Sequence, residues 1–218
     1  MYFASRKAAG KLLADQIVKR YKNEPCAVVG LSDGGVMVAA QIALKLRALL
    51  CMLLVQPIEL PREGMPIGGI AEDGSFAYNA LYSPGEIEEL VSEYRGYIEQ
   101  EKGNRLSEMH RLLGGDGLIR KDLLEDKVVI LVSDGLSTGF SLDVATEFLR
   151  TVKYRKVVIA TPLATVPAVD RMHVLGDDIY CLEVVGNFIS IDHYYDTRDV
   201  PGHDVIVKTI EQITRHWK

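Results

Sequence analysis

Cysteine, long apolar runs and positive charge are all scarce in this sequence. The three cysteines, Cys26, Cys51 and Cys181, lie far apart and form no CxxC pair, so we expect reduced, mostly buried thiols rather than a disulfide framework. The longest apolar run, Ala48 to Val55, is too short to cross a bilayer, and the first residues lack the apolar core of a signal peptide. We therefore expect a soluble, cytoplasmic protein with no membrane partner.

Basic residues do not outnumber acidic ones. The chain has 25 Lys and Arg against 30 Asp and Glu, for a formal net charge of −5. This balance argues against a nucleic-acid partner, which would need a broad basic face. It leaves a small anionic ligand open, because local loops rather than net charge decide such binding.

What the sequence does contain is typical of an ordinary globular protein. Its 218 residues are 48% apolar and 25% charged, enough for one well-cored domain. We expect residues 1–218 to form a single domain, with no internal repeat.

Short apolar runs and helical patterns alternate along the chain. The predicted strands lack polar alternation, so we expect each of them to be covered on both faces, as in a parallel sheet. They are Ala27–Leu31, Leu49–Val55, Val128–Val132, Val157–Ala160 and Ile179–Val185. The predicted helices are Ser5–Tyr21, Val36–Leu46, Leu142–Val152, Val166–Leu175 and His203–Lys218. The pattern predicts an α/β fold with a doubly wound, mainly parallel sheet flanked by helices.

The first helix, Ser5–Tyr21, has an apolar pattern of its own. Its apolar positions Ala8, Leu12, Leu13, Ile17 and Val18 fall on one side at helical spacing. We expect that side to face the core.

Two segments interrupt this alternation. Residues 56–79 are rich in Pro and Gly, which predicts a loop and a short hairpin with Glu72 and Asp73 at its turn. Residues 84–120 are charged and helical up to the cluster Gly114–Gly117, a predicted turn or hinge. This helical and loop insertion is either a solvated helix with a connecting loop or a lid over a ligand site.

A small polar loop follows the strand Val128–Val132. Ligands of parallel α/β sheets bind at the carboxyl ends of the strands, and this loop leads directly into a helix near Gly139. Glycines let several backbone N–H groups converge, while the helix N-terminus adds donors and partial positive charge. The loop lacks the lysine of GxxxxGK[ST] and the spacing of GxGxxG. A phosphate monoester site remains, with a plain strand-to-helix turn as the alternative.

These residues carry a likeness to a known family. The pattern of an apolar strand followed by Asp134, Gly135, Thr138 and Gly139 resembles the signature of type I phosphoribosyltransferases, and within that family it looks most like the uncharacterised "predicted phosphoribosyltransferase" branch. The likeness extends to Phe3, Arg6, Ala8, Gly10, Leu13 and Ala14, to Gly30, Leu31, Gly34, Gly35, Val36, Val38 and Ala39, and to Phe188, Tyr194 and Tyr195.

The resemblance implies a role for each part of the site. The ligand would be phosphoribosyl pyrophosphate or another small 5-phosphorylated ribose compound, with Mg²⁺ on the pyrophosphate. Asp134 would be the catalytic residue, and Ser133 and Asp134 would contact the ribose. Phe188 would lie on the acceptor side. The 5-phosphate would bind to Gly135, Leu136, Ser137, Thr138, Gly139, Phe140 and Ser141. The pyrophosphate loop would be Ser32, Asp33, Gly34 and Gly35.

The sequence departs from the family pattern in three places. Ser133 stands where the family has the first of two acids, Asp33 stands where it has an Arg, and Gln56-Pro57 replaces a basic pair. A unit charge about 5 Å from another is worth roughly 3 kcal/mol at an effective dielectric near 20. These three substitutions are therefore expected to weaken the contacts with the pyrophosphate and the ribose, whereas the loop that would bind the 5-phosphate matches the family pattern.

Three functional hypotheses follow from this combination. The first is a transferase that moves the phosphoribosyl group and releases pyrophosphate. The second is a catalytically impaired module that senses phosphoribosyl pyrophosphate or a nucleotide monophosphate. The third is a scaffold with a vestigial pocket. Relatives of this fold commonly pair, so a homodimer is one option, although the sequence carries no interface signature.

Other polar residues carry weaker signals. The histidines show no metal spacing, and His193 is the one predicted near the strand ends, beside Asp192. Arg95, Arg105 and Arg111 would reach a pyrophosphate only if the charged helix is a lid, and a solvated face with Glu partners is the alternative.

Overall fold

A five-stranded parallel sheet forms the centre of the molecule. The computed structural model describes residues 2–113 and 119–215. Its strands are β1 (Cys26–Gly30), β2 (Leu49–Met52), β6 (Val128–Val132), β7 (Lys156–Thr165) and β8 (Asp178–Val185). The sheet has the order β2-β1-β6-β7-β8, and every neighbouring pair is parallel. The predicted α/β class with a doubly wound sheet is confirmed.

Helices cover both faces of this sheet. They are α1 (Arg6–Tyr21), α2 (Asp33–Leu46), α3 (Pro84–Leu113), α4 (Phe140–Leu149), α5 (Val166–Leu175) and α6 (His203–Arg215). Val28 and Ile130 point into a core shared with α1, α2 and α6, whereas their neighbours Val29 and Leu131 point into a second core with α4 and α5. Because both faces are buried, β1 and β6 contain only apolar residues and glycine, whereas the edge strand β8 is half-buried and includes Asp178 and Glu183.

A second, smaller sheet follows the second strand. It consists of β3 (Val55–Ile58), β4 (Gly68–Ala71) and β5 (Phe76–Tyr78), all antiparallel. The prediction of a loop and one hairpin for 56–79 therefore missed a strand. Gly69 lies so close to Phe140, at the start of α4, that a Cβ there would be 2.9 Å from the ring. The small sheet thus packs against the helix that follows the phosphate loop.

The predicted strand Leu49–Val55 was too long. β2 ends at Met52, and Val55 already belongs to the small sheet. The apolar run continues because Leu53 and Leu54 are buried in different cores although they belong to no strand. Apolar residues mark burial here, not the end of a strand.

Helix α3 accounts for most of the predicted insertion. It runs through residues 84–113 with a kink at Tyr94, where the backbone leaves helical values (φ −108°, ψ 16°). Arg105 is paired with Glu101 and Glu108 on its own helix, as the solvated-face interpretation predicted. The predicted turn Gly114–Gly117 and the last three residues of the predicted helix His203–Lys218 lie outside the described residues.

Candidate active site

The predicted phosphate loop, residues 133–141, connects β6 to α4 and is hydrogen-bonded to the neighbouring strand β7. The N–H of Leu136 donates to the carbonyl of Leu163 at 3.0 Å, and Thr165 N–H donates back to Leu136. Gly139 adopts φ +81°, a left-handed value that favours glycine. These contacts fold the loop around a cavity of about 170 Å³ at the N-terminus of α4.

The structure brings all predicted 5-phosphate residues to this small cavity. Its wall also contains Leu31, Ser32, Val55 and Ile191 from other segments. Residues from Gly135 to Ser141 line it without interruption, together with Ser133 and Asp134.

A larger cavity of about 800 Å³ lies beside the first. The two share Leu31, Ser32, Val55, Asp134 and Ile191 in their walls. The remaining wall of the larger cavity comes from α1, the start of α2, β3, α3 and the segment 190–203. It consists of Arg6, Asp33, Gly34, Leu54, Gln56, Leu112, Ser190, Asp192, Arg198, Val200 and His203.

Asp134 is a buried carboxylate held from two sides. Only 4% of the residue is exposed, Arg6 Nε donates to Oδ2 at 2.7 Å, and Ser32 Oγ donates to Oδ1 at 3.2 Å. The hydroxyl of Tyr195 donates to the Asp134 carbonyl at 2.5 Å. Burial and the nearby Asp134 charge raise the pKa of Tyr195, so this phenol stays protonated and keeps donating.

Arg6 makes more contacts in the candidate site than its place in the sequence motif predicted. It is 3% exposed and also donates to Asp192 at 2.5 Å, while its Nη1 lies 3.6 Å from Asp199. Burial alone would lower its pKa, but hydrogen bonds and charge from Asp192 and Asp134 outweigh this and raise it. A cation one turn before Gly10, on the same side of α1 as that small residue, is the signal that would have revealed it.

The predicted pyrophosphate turn forms the first turn of α2. Ser32 caps the helix and accepts from Gly35 N–H at 2.9 Å, so the helix begins at Asp33, three residues before the predicted Val36. Gly34 lies against the buried ion pair, because a Cβ there would be 2.6 Å from Cγ of Asp134. Asp33 lines the larger cavity and contacts His203, with Oδ1 and Nδ1 2.8 Å apart.

Three other predicted residues make contacts within the protein. The Ser133 hydroxyl donates to the Gly135 carbonyl at 2.9 Å and accepts from its N–H at 3.2 Å, so it is engaged within the loop. Phe188 stacks on Tyr194 with centroids 6.0 Å apart and lines neither cavity. His193 contacts the Tyr2 hydroxyl at 2.9 Å on the exposed surface.

The cysteines lie away from both cavities. Burial raises the pKa of Cys26 to about 11 and that of Cys51 to about 12, and it also raises the pKa of Cys181. Protonated thiols are poor nucleophiles, and none of the three lines either cavity.

Carboxylates in the larger cavity already have partners. Asp134 and Asp192 bind Arg6, and Asp33 binds His203. Within 2–113 and 119–215, no group of three or more His, Cys, Asp or Glu side chains is arranged to hold a metal ion. These residues do not fit a metal held by the protein alone.

Comparisons with known proteins agree with this geometry. No protein-family profile matches the sequence. Two Mycobacterium tuberculosis proteins named "Putative phosphoribosyl transferase" are 27% identical over 220 residues, which is 99% of this chain and 48% of each relative. The chain thus spans about half the length of the curated relatives it matches.

Solved structures extend the comparison. The crystal structure of the protein TT1426 from Thermus thermophilus matches 100% of this chain and 99% of its own, with a TM-score of 0.70 and 27% identity. A hypoxanthine phosphoribosyltransferase from Staphylococcus aureus matches 91% of this chain and 84% of its own at a TM-score of 0.51. At 15% identity, the second match supports a shared fold and nothing more specific.

The fold and the relatives agree with the resemblance that the motifs predicted. The parallel sheet and its helices form the type I phosphoribosyltransferase fold. The chain is similar in sequence to proteins named phosphoribosyl transferases, so the predicted resemblance is confirmed. Among the described residues, no helix is both long enough and apolar enough to span a membrane.

Proposed function

We propose that the protein binds phosphoribosyl pyrophosphate, or a related 5-phosphorylated ribose, and transfers the phosphoribosyl group with release of pyrophosphate. The observation that carries this proposal is the pair of adjoining cavities. The small one is sized for a phosphate group and opens beside a cavity large enough for the rest of a ligand. Asp134 stands in the wall that the two cavities share.

The small cavity supplies the chemistry that a phosphate needs. Its wall includes the N-terminus of α4, where the helix dipole favours an anion. Ser137, Thr138 and Ser141 add hydroxyl donors. A 5-phosphate held here directs the ribose toward Asp134 and the leaving group toward the start of α2.

In the proposed reaction, the bond from the anomeric carbon to the pyrophosphate oxygen breaks, and the electron pair leaves with pyrophosphate. The acceptor forms the new bond to that carbon. Positive charge develops on the sugar meanwhile, so positioning and electrostatics dominate the rate. Asp134 provides a fixed negative charge beside the sugar, and Arg6 and Ser32 keep its carboxylate in place.

A binding or regulatory module without transferase activity is the second candidate. The observation that favours it is Ser133, which has no carboxylate and whose hydroxyl is engaged with Gly135 on both sides. Release of pyrophosphate in the presence of a nucleobase or amine acceptor would exclude this candidate.

In the proposed function, any Mg²⁺ would bind to the pyrophosphate of the ligand and not to a site formed by the protein alone. Because the cavity carboxylates are paired with Arg6 and His203, a protein-held ion is not part of the proposed site. Titrations with and without Mg²⁺ test whether the ion contributes to binding.

The decisive experiment is a calorimetric titration with phosphoribosyl pyrophosphate, ribose 5-phosphate and nucleotide monophosphates. The variant Thr138→Glu places a carboxylate in the small cavity and is expected to abolish binding of every 5-phosphate by repulsion. Its control is Thr151→Glu, which adds the same charge at an exposed position beyond the other end of α4. Equal affinity in wild type and Thr138→Glu would refute the site.

A further inference from the structure

The start of α2 presents an electrostatic difficulty for an anionic ligand. Asp33 lies in the wall of the larger cavity, where the proposed function places the pyrophosphate. A carboxylate facing a pyrophosphate repels it, and a partly buried site screens this repulsion weakly. A diphosphate ligand therefore requires a compensating cation close by.

His203 is positioned to compensate the Asp33 charge. It is the first residue of α6, and its Nδ1 lies 2.8 Å from Asp33 Oδ1. A carboxylate can only accept, so Nδ1 carries the proton of this hydrogen bond. The other ring nitrogen, Nε2, is buried and has no hydrogen-bond partner in the described part of the chain.

The geometry at His203 leaves one nitrogen for a ligand. Asp33 fixes the ring through Nδ1, and the residue lines the larger cavity. In the imidazolium form, Nε2 donates a charge-assisted hydrogen bond, which is stronger and shorter than a neutral one. A carboxylate that orients a histidine in this way is a common arrangement in functional sites.

Arg198 adds a second cation from the same segment. It is exposed in the wall of the larger cavity, and no ion pair engages it within residues 2–113 and 119–215. The buried Nη1 of Arg6 also lacks a hydrogen bond. With His203 protonated, the described wall carries three cations, Arg6, Arg198 and His203, against three carboxylates, Asp33, Asp134 and Asp192.

We propose that His203, oriented by Asp33, and Arg198 together recognise the diphosphate group of the ligand in place of the basic residue that the α2 turn lacks relative to the family pattern. The inference rests on the proposed function, since it specifies how the same site tells a diphosphate from a monophosphate. Protonation of Nε2 accompanies diphosphate binding. Arg6 and Arg198 oppose that proton uptake, while Asp33, Asp134 and Asp192 favour it.

The test compares variants at His203 by calorimetry. His203→Ala is expected to weaken binding of phosphoribosyl pyrophosphate by about tenfold or more, the effect of losing one charge-assisted hydrogen bond. Ribose 5-phosphate, which has no diphosphate, is expected to bind His203→Ala as it binds wild type. His203→Lys restores a cation and is expected to recover most of the lost affinity.

A matched control and a protonation measurement sharpen the test. His173→Ala removes an exposed histidine of α5 that lines neither cavity, and it is expected to bind both ligands normally. In buffers of different ionisation enthalpy, wild type is expected to take up protons on binding inorganic pyrophosphate, and His203→Lys is not.

The outcomes separate this inference from the proposed function. If wild type binds both ribose phosphates and His203→Ala binds them equally well, the inference is overturned and the proposed function stands. If wild type binds inorganic pyrophosphate through His203 but no ribose phosphate, the diphosphate site stands and the proposed function fails. Failure to bind any of the three ligands overturns both.

Discussion

At the scale of single residues, Arg6 connects more of the candidate site than any other side chain described above. It is buried, and it binds Asp134 and Asp192 from the amino-terminal helix. A buried charge that loses its partner is strongly destabilising, whereas removal of both partners is often tolerated. The ion pair therefore links the stability of the fold to the position of the candidate catalytic carboxylate.

We expect Arg6→Met to lower the free energy of unfolding by about 3–5 kcal/mol, because it leaves Asp134 buried without its cation. The double variant Arg6→Met/Asp134→Leu is expected to recover part of this loss. Urea denaturation measures both. A loss below about 1 kcal/mol in the single variant would show that the pair contributes little.

For the same reason, Asp134→Ala is a poor test of ligand binding. It leaves the guanidinium of Arg6 with fewer partners, so lost affinity and lost stability would appear together. Thr138 avoids this problem, since its side-chain oxygen has only a long, 3.5 Å hydrogen bond from Phe140 N–H.

The residue scale also shows where prediction from sequence stops. The sequence drew attention to Asp134 and Asp33 because each lies a few residues after the end of an apolar strand, and both line the larger cavity. The face of α1 was not, since Leu12 is 45% exposed while Arg6 and Gly10 face inward. Gly10 faces the neighbouring helix because its Cβ position lies 2.7 Å from the Val38 carbonyl, and no apolar pattern reports such a close approach.

At the scale of elements, helix α2 approaches the phosphate loop through Gly34. We expect Gly34→Ala to destabilise the protein by about 1–3 kcal/mol, because the new methyl overlaps the Asp134 carboxylate. The same substitution at Gly103, in α3, meets nothing within 4 Å and is expected to stabilise by about 0.5–1 kcal/mol. Thermal unfolding of the two variants should therefore change in opposite directions, and a shift of the same sign in both would contradict this account.

The turn between β4 and β5 contains a buried acid. Glu72 was predicted to mark a hairpin turn, which is where it lies, but its side chain is fully buried. It accepts from Leu54 N–H at 2.9 Å and from Ile119 N–H at 2.7 Å. Glu72 thus ties the junction of β2 and β3 to the end of the insertion.

Burial raises the pKa of Glu72, although these two hydrogen bonds partly oppose the shift. A raised pKa in the folded state gives stability that is present below the ordinary glutamate value and is lost as pH rises through the shifted one. We expect wild type to lose stability relative to Glu72→Gln as pH rises from about 4. Denaturation series at several pH values measure the difference, with the exposed Glu88→Gln as the control. A difference that does not change with pH would contradict the prediction.

The helices and strands were partly predictable from the sequence. The parallel strands were found because most of their residues are apolar, as burial against helices requires. The small sheet was not, since Pro57, Gly68 and Gly69 are typical of loops yet occupy strands there. Gly68 and Gly69 are tolerated because neighbouring groups approach closely, such as the Ala77 carbonyl and the Phe140 ring.

At the scale of the whole molecule, ligand binding and folding are linked. A ligand that binds only the folded state stabilises it by about 2.7 kcal/mol at 100 times its dissociation constant. For 218 residues, this corresponds to a rise in melting temperature of roughly 5–10 °C. We expect this rise with phosphoribosyl pyrophosphate in wild type and in Thr151→Glu, and no rise in Thr138→Glu. No rise in wild type would favour a scaffold with a vestigial pocket.

The residues around Asp134 come from opposite ends of the chain. Arg6 and Asp192 are 186 positions apart, and Phe3 N–H donates to the carbonyl of Tyr194. During translation, Arg6 is synthesised long before Asp192 and Tyr194. The site therefore cannot be complete until the segment around residue 192 has been made. A ligand that needs the complete site can stabilise the chain only after that point.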